Sequence, residues 1–358
     1  MPAISVVMPC HNRAFDLIRT LRAYDSQVVE QPFEMIAIDD ASSDETYELL
    51  ASYRPERFTL RTVRQETNLG PAAARNRGIS LAKAALILFV GDDILPDTHL
   101  IRGHLTAHRF HPKKEIAILG RVLWPADLPV NTLMAHIDGI GAQQFSYHYF
   151  QDSQQYDYRH LYTANVSLKR EILASQDKFF DTDFQFAAFE DVELSYRLAK
   201  KGLCIVYSSL LKGYHYHYHN IWSFSERMYR AGLMACFMVQ KHPETERSIL
   251  GRKWPLRVAR WRLLANFQDY PQETTHRLET SLLHLSSHYE WTPHPLLDHL
   301  YLEILMYFFF KGVIYGRFGE TPLARRIHGL CAQEFLAPLA KRFNQENKHL
   351  EMIPKYAL

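Results

Sequence analysis

Leu86-Ile87-Leu88-Phe89-Val90-Gly91-Asp92-Asp93 runs from five apolar residues, through one glycine, into two carboxylates. An apolar run without polar alternation describes a strand covered on both faces, and such strands belong to parallel sheets interleaved with helices. The same signature recurs upstream. Ile4-Ser5-Val6-Val7-Met8 and Met35-Ile36-Ala37-Ile38 read as buried strands, and Phe58 to Val63 as a weaker strand nearer an edge. Helix start signals lie between them. Ser42 with Glu45 has capping-box spacing, and Gly70-Pro71 before Ala72-Ala73-Ala74 puts proline at the first helical position. The order is βαβαβαβ, an open α/β sheet, and such sheets bind ligands beyond the carboxyl ends of their strands. His11-Asn12-Arg13, Asp39-Asp40 and Asp92-Asp93 all follow strands at that end.

From about residue 105 to 220 the pattern is irregular and aromatic-rich, with a strand expected over Glu115 to Trp124 and a helix over Asp191 to Lys200, ended by Gly202. Beyond 221 the chain reads as helical, punctuated by Pro243 and Pro255. A length of 358 residues favours two packed parts. The expected division is a domain over 1–220, with halves of about 1–100 and 101–220, and a helical region over 221–358. Hydrophobic residues at 47% and charged residues at 22% describe a folded chain, and a balance of +2 gives no case for nucleic acid as a main partner.

Cys10, Cys204, Cys236 and Cys331 are far apart and form no CxxC, which argues against a disulfide framework or a cysteine zinc site and for a reducing cytosol. The N-terminal segment lacks a basic n-region, and no run of 18 apolar residues is free of charge. The expectation is a cytoplasmic chain that neither spans a membrane nor carries a visible export signal. Arg247 to Arg262 has six basic residues, no acidic ones, and Trp254 and Trp261. It reads either as an amphipathic segment lying on the inner face of an anionic membrane or as a solvated helix with inward tryptophans. Tyr301 to Tyr315 reads as a buried helix, the alternatives being a membrane-facing or dimer surface that would make the chain a homo-oligomer.

Each polar motif has a structural and a chemical reading. Asp39-Asp40 caps the next helix, or accepts hydrogen bonds from a uracil imide or a ribose hydroxyl. No GxGxxG follows the first strand, which argues against a dehydrogenase-type dinucleotide fold, and no GxxxxGK[ST] occurs, which rules out P-loop chemistry. The helix entry Asn68 to Gly78 aims its N-terminus and Arg75 at a diphosphate, or is an ordinary solvated face. Asp92-Asp93 suits Mg²⁺ or Mn²⁺ bridging a diphosphate, or forms a turn before Pro96. Glu190-Asp191 opens a helix, where the dipole alone accounts for acidic residues and keeps Asp191 ionised near neutral pH. Tyr214-His215-Tyr216-His217-Tyr218-His219 alternates, so in an extended segment its histidines share one face. One of them completes a metal site with Asp93, or all bind Zn²⁺, or they form a histidine-rich cleft edge.

Ser5 to Arg13, Ile38 to Asp44, Asn68 to Gly78, Phe89 to Asp93, Thr163-Ala164-Asn165-Val166-Ser167-Leu168 and Phe189 to Leu194, in this order, resemble the inverting family-2 glycosyltransferases of the GT-A fold, over roughly residues 3 to 220. The resemblance implies an α/β GT-A domain, Rossmann-like with a mainly parallel sheet flanked by helices, and a helical C-terminal extension. It implies transfer of a sugar from a nucleotide diphosphate sugar, UDP-linked, to an acceptor hydroxyl of a glycan, lipid-linked saccharide or small molecule, with inversion and with Mn²⁺ or Mg²⁺. Pro9, His11 and Arg13 would line the nucleotide pocket, His11 against the base. Asp40 would read the uracil and Asp39 support it, while Gly70 and Arg75 would meet the phosphates. Asp92-Asp93 would be the DxD-type metal element, with Asp93 the direct ligand and His217 the preferred histidine partner. Asp191 would be the general base and Glu190 would orient the site. One departure is Gly91, where many members carry Asp. Without a translocation unit the chain would not be a processive exporting synthase. The rivals are a sugar-1-phosphate nucleotidyltransferase, which wants a glycine-rich loop after the first strand, and a non-catalytic sugar-nucleotide or glycan-binding module, which would release no UDP.

Overall fold

The computed structural model describes residues 1–346 except Ala142 and Asp269, with side chains to Phe343. The chain divides into two compact units, one of Met1–Pro129 with Phe145–His217, the other of Val130–Gln144 with the chain from Tyr218 onward.

The first unit is built on a nine-stranded sheet. Its strands are β1 (Ser5–Cys10), β2 (Glu34–Asp39), β3 (Thr59–Arg64), β4 (Leu86–Val90), β5 (Ile94–Pro96), β6 (Ile116–Leu123), β7 (Gln155–Tyr156), β8 (Asn165–Lys169) and β9 (Cys204–His215). They lie in the order β3-β2-β1-β4-β8-β6-β9-β5, with β7 paired to β9. The apolar runs are strands, and Phe58 to Val63 yields the half-exposed edge strand β3. Strands β3, β2, β1 and β4 are parallel, and β6 is parallel to β9. The rest of the sheet is antiparallel: β8 runs against both β4 and β6, and β5 against β9.

Alternation along the strands feeds two cores. Val7, Ile36, Ile38, Ile87 and Phe89 face the helix Gly70–Leu81, through Ala72, Ala74 and Ile79. Val6, Met8, Met35, Ala37, Leu88 and Val90 face the helix Ala14–Asp25, through Leu17, Leu21 and Tyr24. Gly78 permits the close approach on the first face, because a Cβ there would meet Val7 Cγ1 at 2.4 Å. The expected Ser42–Glu45 capping box is not formed. The helix begins only at Thr46, and Asp44 organises the turn instead, accepting from the Thr46 N–H at 3.0 Å and from the Ala14 N–H at 3.1 Å. A single carboxylate thus joins the loop after β2 to the helix after β1. Because β2 and β4 flank β1 on opposite sides, the chain reverses direction across the sheet at β1, and a crevice opens at the carboxyl ends of β1 and β4.

The second unit is helical: Thr132–Asp138, Ile221–Lys241, Trp254–Leu264, Gln272–His288, Leu297–Phe318 and Pro322–Glu346 are its main elements. Asn220 and Ser223 form a capping box at the start of Ile221–Lys241. That helix crosses Leu297–Phe318 almost backbone to backbone. A Cβ on Gly232 would meet the Phe309 carbonyl oxygen at 2.0 Å, and one on Gly312 the Tyr229 carbonyl oxygen at 2.0 Å. Tyr301, Ile304, Leu305, Tyr307, Val313 and Ile314 are buried, so Tyr301 to Tyr315 is core. Trp254 and Trp261 are 1% exposed and pack inward. Inside this core Glu279 binds Lys311 at 2.8 Å, His328 at 3.1 Å, and the Tyr307 hydroxyl. Among the described residues no helix is long and apolar enough to cross a membrane.

Candidate active site

The loops after β1 and β2 turn sharply. Asn12 and Ala41, each just past a strand end, sit in the left-handed region at φ 52 and 54. Strained backbone of this kind persists only where its surroundings hold it. Here Asn12 N–H donates to Ser42 Oγ at 2.9 Å and Ser43 N–H to Asn12 Oδ1 at 2.8 Å. His11 stays exposed at the crevice, its Nδ1 2.9 Å from the Asp40 carbonyl oxygen and its Nε2 3.1 Å from Asn68 Nδ2. Pro9 is the half-buried residue of β1 near its end.

Asp39 and Asp40 are buried and differently employed. Asp39 receives the Ser42 N–H at 3.3 Å and lies 3.3 Å from Arg64 Nε, so it anchors the loop. Asp40 accepts from the Leu69 N–H at 2.8 Å and the Gly70 N–H at 2.7 Å, and from Gln65 Nε2. It therefore caps the helix Gly70–Leu81 rather than the helix that follows it in sequence. Gly70 needs its φ of +83, which a side chain rarely adopts.

At the end of β4, Asp92 and Asp93 are nearly buried. Asp93 gathers the site. Its Oδ2 is 3.4 Å from His215 Nε2, 3.3 Å from His217 Nδ1 and 3.1 Å from Arg13 Nη2. Backbone pairing brings the distant segments together: β5 aligns Ile94 with His215, and the Tyr216 N–H donates to the Asp93 carbonyl oxygen at 2.8 Å. Tyr216 meanwhile lies under Arg19, 4.4 Å from ring to guanidinium. His215 stacks on Trp124 at 5.4 Å and 13°. Burial and the charge of Asp93 push the Asp92 carboxyl up to about 8, against the pull of Arg13. Burial acts on Asp93 in the same direction, but His215, His217 and Arg13 together hold its carboxyl well below the usual range.

One ligand atom each from Asp93, His215 and His217 lies within 4.8 Å of the other two. One carboxylate oxygen and two imidazole nitrogens form a donor set that a divalent transition metal accepts, and the nitrogens favour Mn²⁺ over the oxygen-seeking Mg²⁺. The histidine strip is divided by the structure. His215 and His217 meet Asp93, whereas His219 is buried in the helical unit beside Phe224, its carbonyl oxygen bound by Asn131 Nδ2 at 2.9 Å. Among the described residues the group of possible metal ligands is Asp93, His215 and His217. The sequence reading preferred His217 and left His215 and His219 open; Trp124, stacked on His215, carried no sequence signal.

The acidic pair heads the helix Glu190–Ala199, preceded by Phe189 at φ 68. Arg75 is nine-tenths buried and gives Nη1 to Glu190 Oε1 at 2.8 Å, with Phe180 under its guanidinium at 5.5 Å. Arg75 thus stands with the acidic pair. Asp191 is partly exposed, and its Oδ1 accepts from the Val192 N–H at 2.8 Å. Burial and the neighbouring Glu190 charge raise its carboxyl to about 7, opposed by Arg75 and by backbone hydrogen bonds from Val192 and Thr163. The helix dipole was expected to keep it fully ionised; desolvation and a like charge outweigh the dipole.

Known proteins resemble this chain in sequence and in fold. The sequence model of the family described as Glycosyl transferase family 2 matches residues 5–175. Validoxylamine A glucosyltransferase of Streptomyces hygroscopicus subsp. jinggangensis (strain 5008) is 27% identical over 329 residues, covering 78% of this chain and 73% of that protein. Among solved structures, S. aureus TarS 1-349 superposes with TM-score 0.53 at 15% identity, covering 93% of this chain and 92% of that one. The same protein in complex with UDP superposes with TM-score 0.51 at 16% identity, with the same coverage. Residues 5–175 thus carry a family 2 glycosyltransferase match within a GT-A architecture with a helical extension, and a glucosyltransferase is similar along most of the chain.

Proposed function

We propose that this glycosyltransferase moves a sugar from a UDP-sugar to an acceptor hydroxyl of a glycan, a lipid-linked saccharide or a small molecule, inverting the anomeric centre, with Mn²⁺ held by Asp93, His215 and His217. The observation that carries the reading is the convergence of those three ligand atoms within 4.8 Å at the carboxyl ends of β1 and β4. UDP bound by TarS and the glucosyl transfer named for the Streptomyces relative support the donor class.

The cation supplies positive charge to the departing diphosphate. This chain's own residues do the rest. The exposed His11 offers a ring for the base, and Asp39 and Asp40 hold the loops around it. Arg13 adds positive charge beside Asp93. Asp191, raised to about 7, takes the acceptor hydroxyl proton as that oxygen attacks the anomeric carbon, while Glu190, fixed by Arg75, places the helix end. A base poised near the working pH is the arrangement general-base catalysis favours.

The test is UDP release from a panel of UDP-sugars, with Mn²⁺ and again after EDTA. Release that needs both cation and acceptor, with an inverted product by NMR, is the expected result. UDP binding without release under any acceptor would make the chain a binding module.

A further inference from the structure

The helix Trp254–Leu264 has two apolar faces, and only one is used by the fold. Trp254, Val258, Trp261 and Ala265 are buried at 1%, 7%, 1% and 1%. On the opposite side Leu256, Leu263 and Phe267 are 77%, 62% and 81% exposed. These three positions are separated by seven and four residues, which stacks them along one line of an α-helix. Leu256 and Leu263 lie within the helix, and Phe267 is in the turn that follows it, its N–H bonding the Leu264 carbonyl oxygen at 2.9 Å. Lys253 borders the stripe on one side, and Arg252 and Arg262 on the other, all exposed. Arg257 and Arg260 are turned to Glu334. No acidic residue occurs between Arg247 and Arg262.

We propose that this face lies on an anionic lipid surface, with Leu256, Leu263 and Phe267 entering the headgroup boundary and Arg252, Lys253 and Arg262 meeting lipid phosphates. An exposed apolar stripe between basic rows is the pattern that partitions to an interface rather than across it. Charge complementarity selects the occupant. A second copy pairing through the same face would set basic row against basic row. Of the two sequence readings of this segment, inward tryptophans is the one the core shows, and the proposed lipid-facing set is the aliphatic and phenyl stripe on the other side. The proposal stands apart from the catalytic reading, since no residue of the stripe belongs to the candidate site.

The full chain is tested by vesicle flotation on phosphatidylcholine alone and with about 30 mol % phosphatidylglycerol. Binding to the anionic vesicles only, falling several-fold between about 0.1 M and 0.5 M salt, is expected. Combined Leu256→Ser, Leu263→Ser and Phe267→Ser should lower the bound fraction by about tenfold, and Arg252→Gln with Lys253→Gln by several-fold. Circular dichroism and UDP release should match the parent in both variants. Equal binding to both vesicle types, no binding to either, or retention by the triple variant would overturn the proposal. A concentration-dependent dimer lost in the triple variant, without vesicle binding, would overturn it in favour of self-association.

Discussion

Arg13 and His217 are 204 residues apart in sequence, and Arg13 Nη2 lies 3.0 Å from His217 Nδ1. A guanidinium only donates, and the same Nη2 lies 3.1 Å from Asp93 Oδ2. The ring nitrogen and the Asp93 oxygen beside Arg13 are the atoms a cation would use. Replacing Arg13 with Gln should therefore strengthen Mn²⁺ binding to the nucleotide-free protein while weakening UDP-sugar binding. Titration calorimetry with each ligand separates the two effects, and losses in both would show Arg13 to be structural.

Asp93 offers the carboxylate of the cluster, and His215 and His217 share the remaining donors. Asp93→Ala should abolish measurable Mn²⁺ binding, and His215→Ala and His217→Ala should each weaken it by about tenfold or more. His219→Ala should leave it unchanged, because that side chain is buried in the helical unit. Mn²⁺ electron paramagnetic resonance reads all four variants, and a loss at His219 equal to the others would contradict the division of the strip.

Asp191→Asn keeps the shape and removes the carboxylate proposed as the base. We expect turnover to fall by about 10²- to 10⁴-fold with donor KM little changed. The parent should show kcat/KM rising as pH passes through about 7, because Asp191 must be deprotonated to accept the proton. That acid limb should vanish in Asp191→Asn. A limb that persists in the variant would assign it to another group.

Gly91 has little room beside the proposed metal ligand Asp93. A Cβ there would lie 2.9 Å from Asp93 Oδ1 and 3.1 Å from Ile94 Cγ1. Gly91→Ala should fold normally, since the crowded atom ends a side chain that can rotate, and should weaken Mn²⁺ binding by turning Asp93 away. An unchanged affinity would mean that Asp93 coordinates from another rotamer.

Glu279 makes acid stability testable. Burial raises its carboxyl, but His328 and Lys311 more than compensate and lower it from 4.5 to about 2. A folded-state value below the unfolded one contributes stability above the unfolded pKa, lost as pH falls from about 4.5 towards 2. The full contribution near neutral pH is on the order of 3 kcal/mol. Glu279→Gln should lower the melting temperature at pH 7 and narrow the gap from the parent as pH drops through that window. A gap that widens on acidification would reject the assignment.

Strands β1 to β4 were legible because burial on both faces leaves a continuous apolar run, and carboxylates leaving such runs announce the crevice. The strand β8 was not: Asn165, Ser167 and Lys169 interrupt its apolar residues, because His104 and His108 bond Ser167 from beneath at 2.7 and 2.9 Å. The Arg75–Glu190 pair spans 115 residues and has no local signature. Side-chain alternation put three histidines on one face, but that rule ends with the strand at His215, so it could not say that His217 follows His215 while His219 departs. In the helix Trp254–Leu264 the sequence left inward and membrane-facing tryptophans both open, and their aromatic bulk is in the core.

The crossing at Gly232 and Gly312 bears on how this sequence can drift over time. Where two helices meet through backbone atoms, no neighbouring side chain can be trimmed to make space for a newcomer. Any methyl at either position forces the helices apart along their length, a cost no second-site change nearby can relieve. Saturation libraries at 232 and 312 should therefore return glycine nearly alone, while the surrounding apolar positions accept exchanges of similar volume.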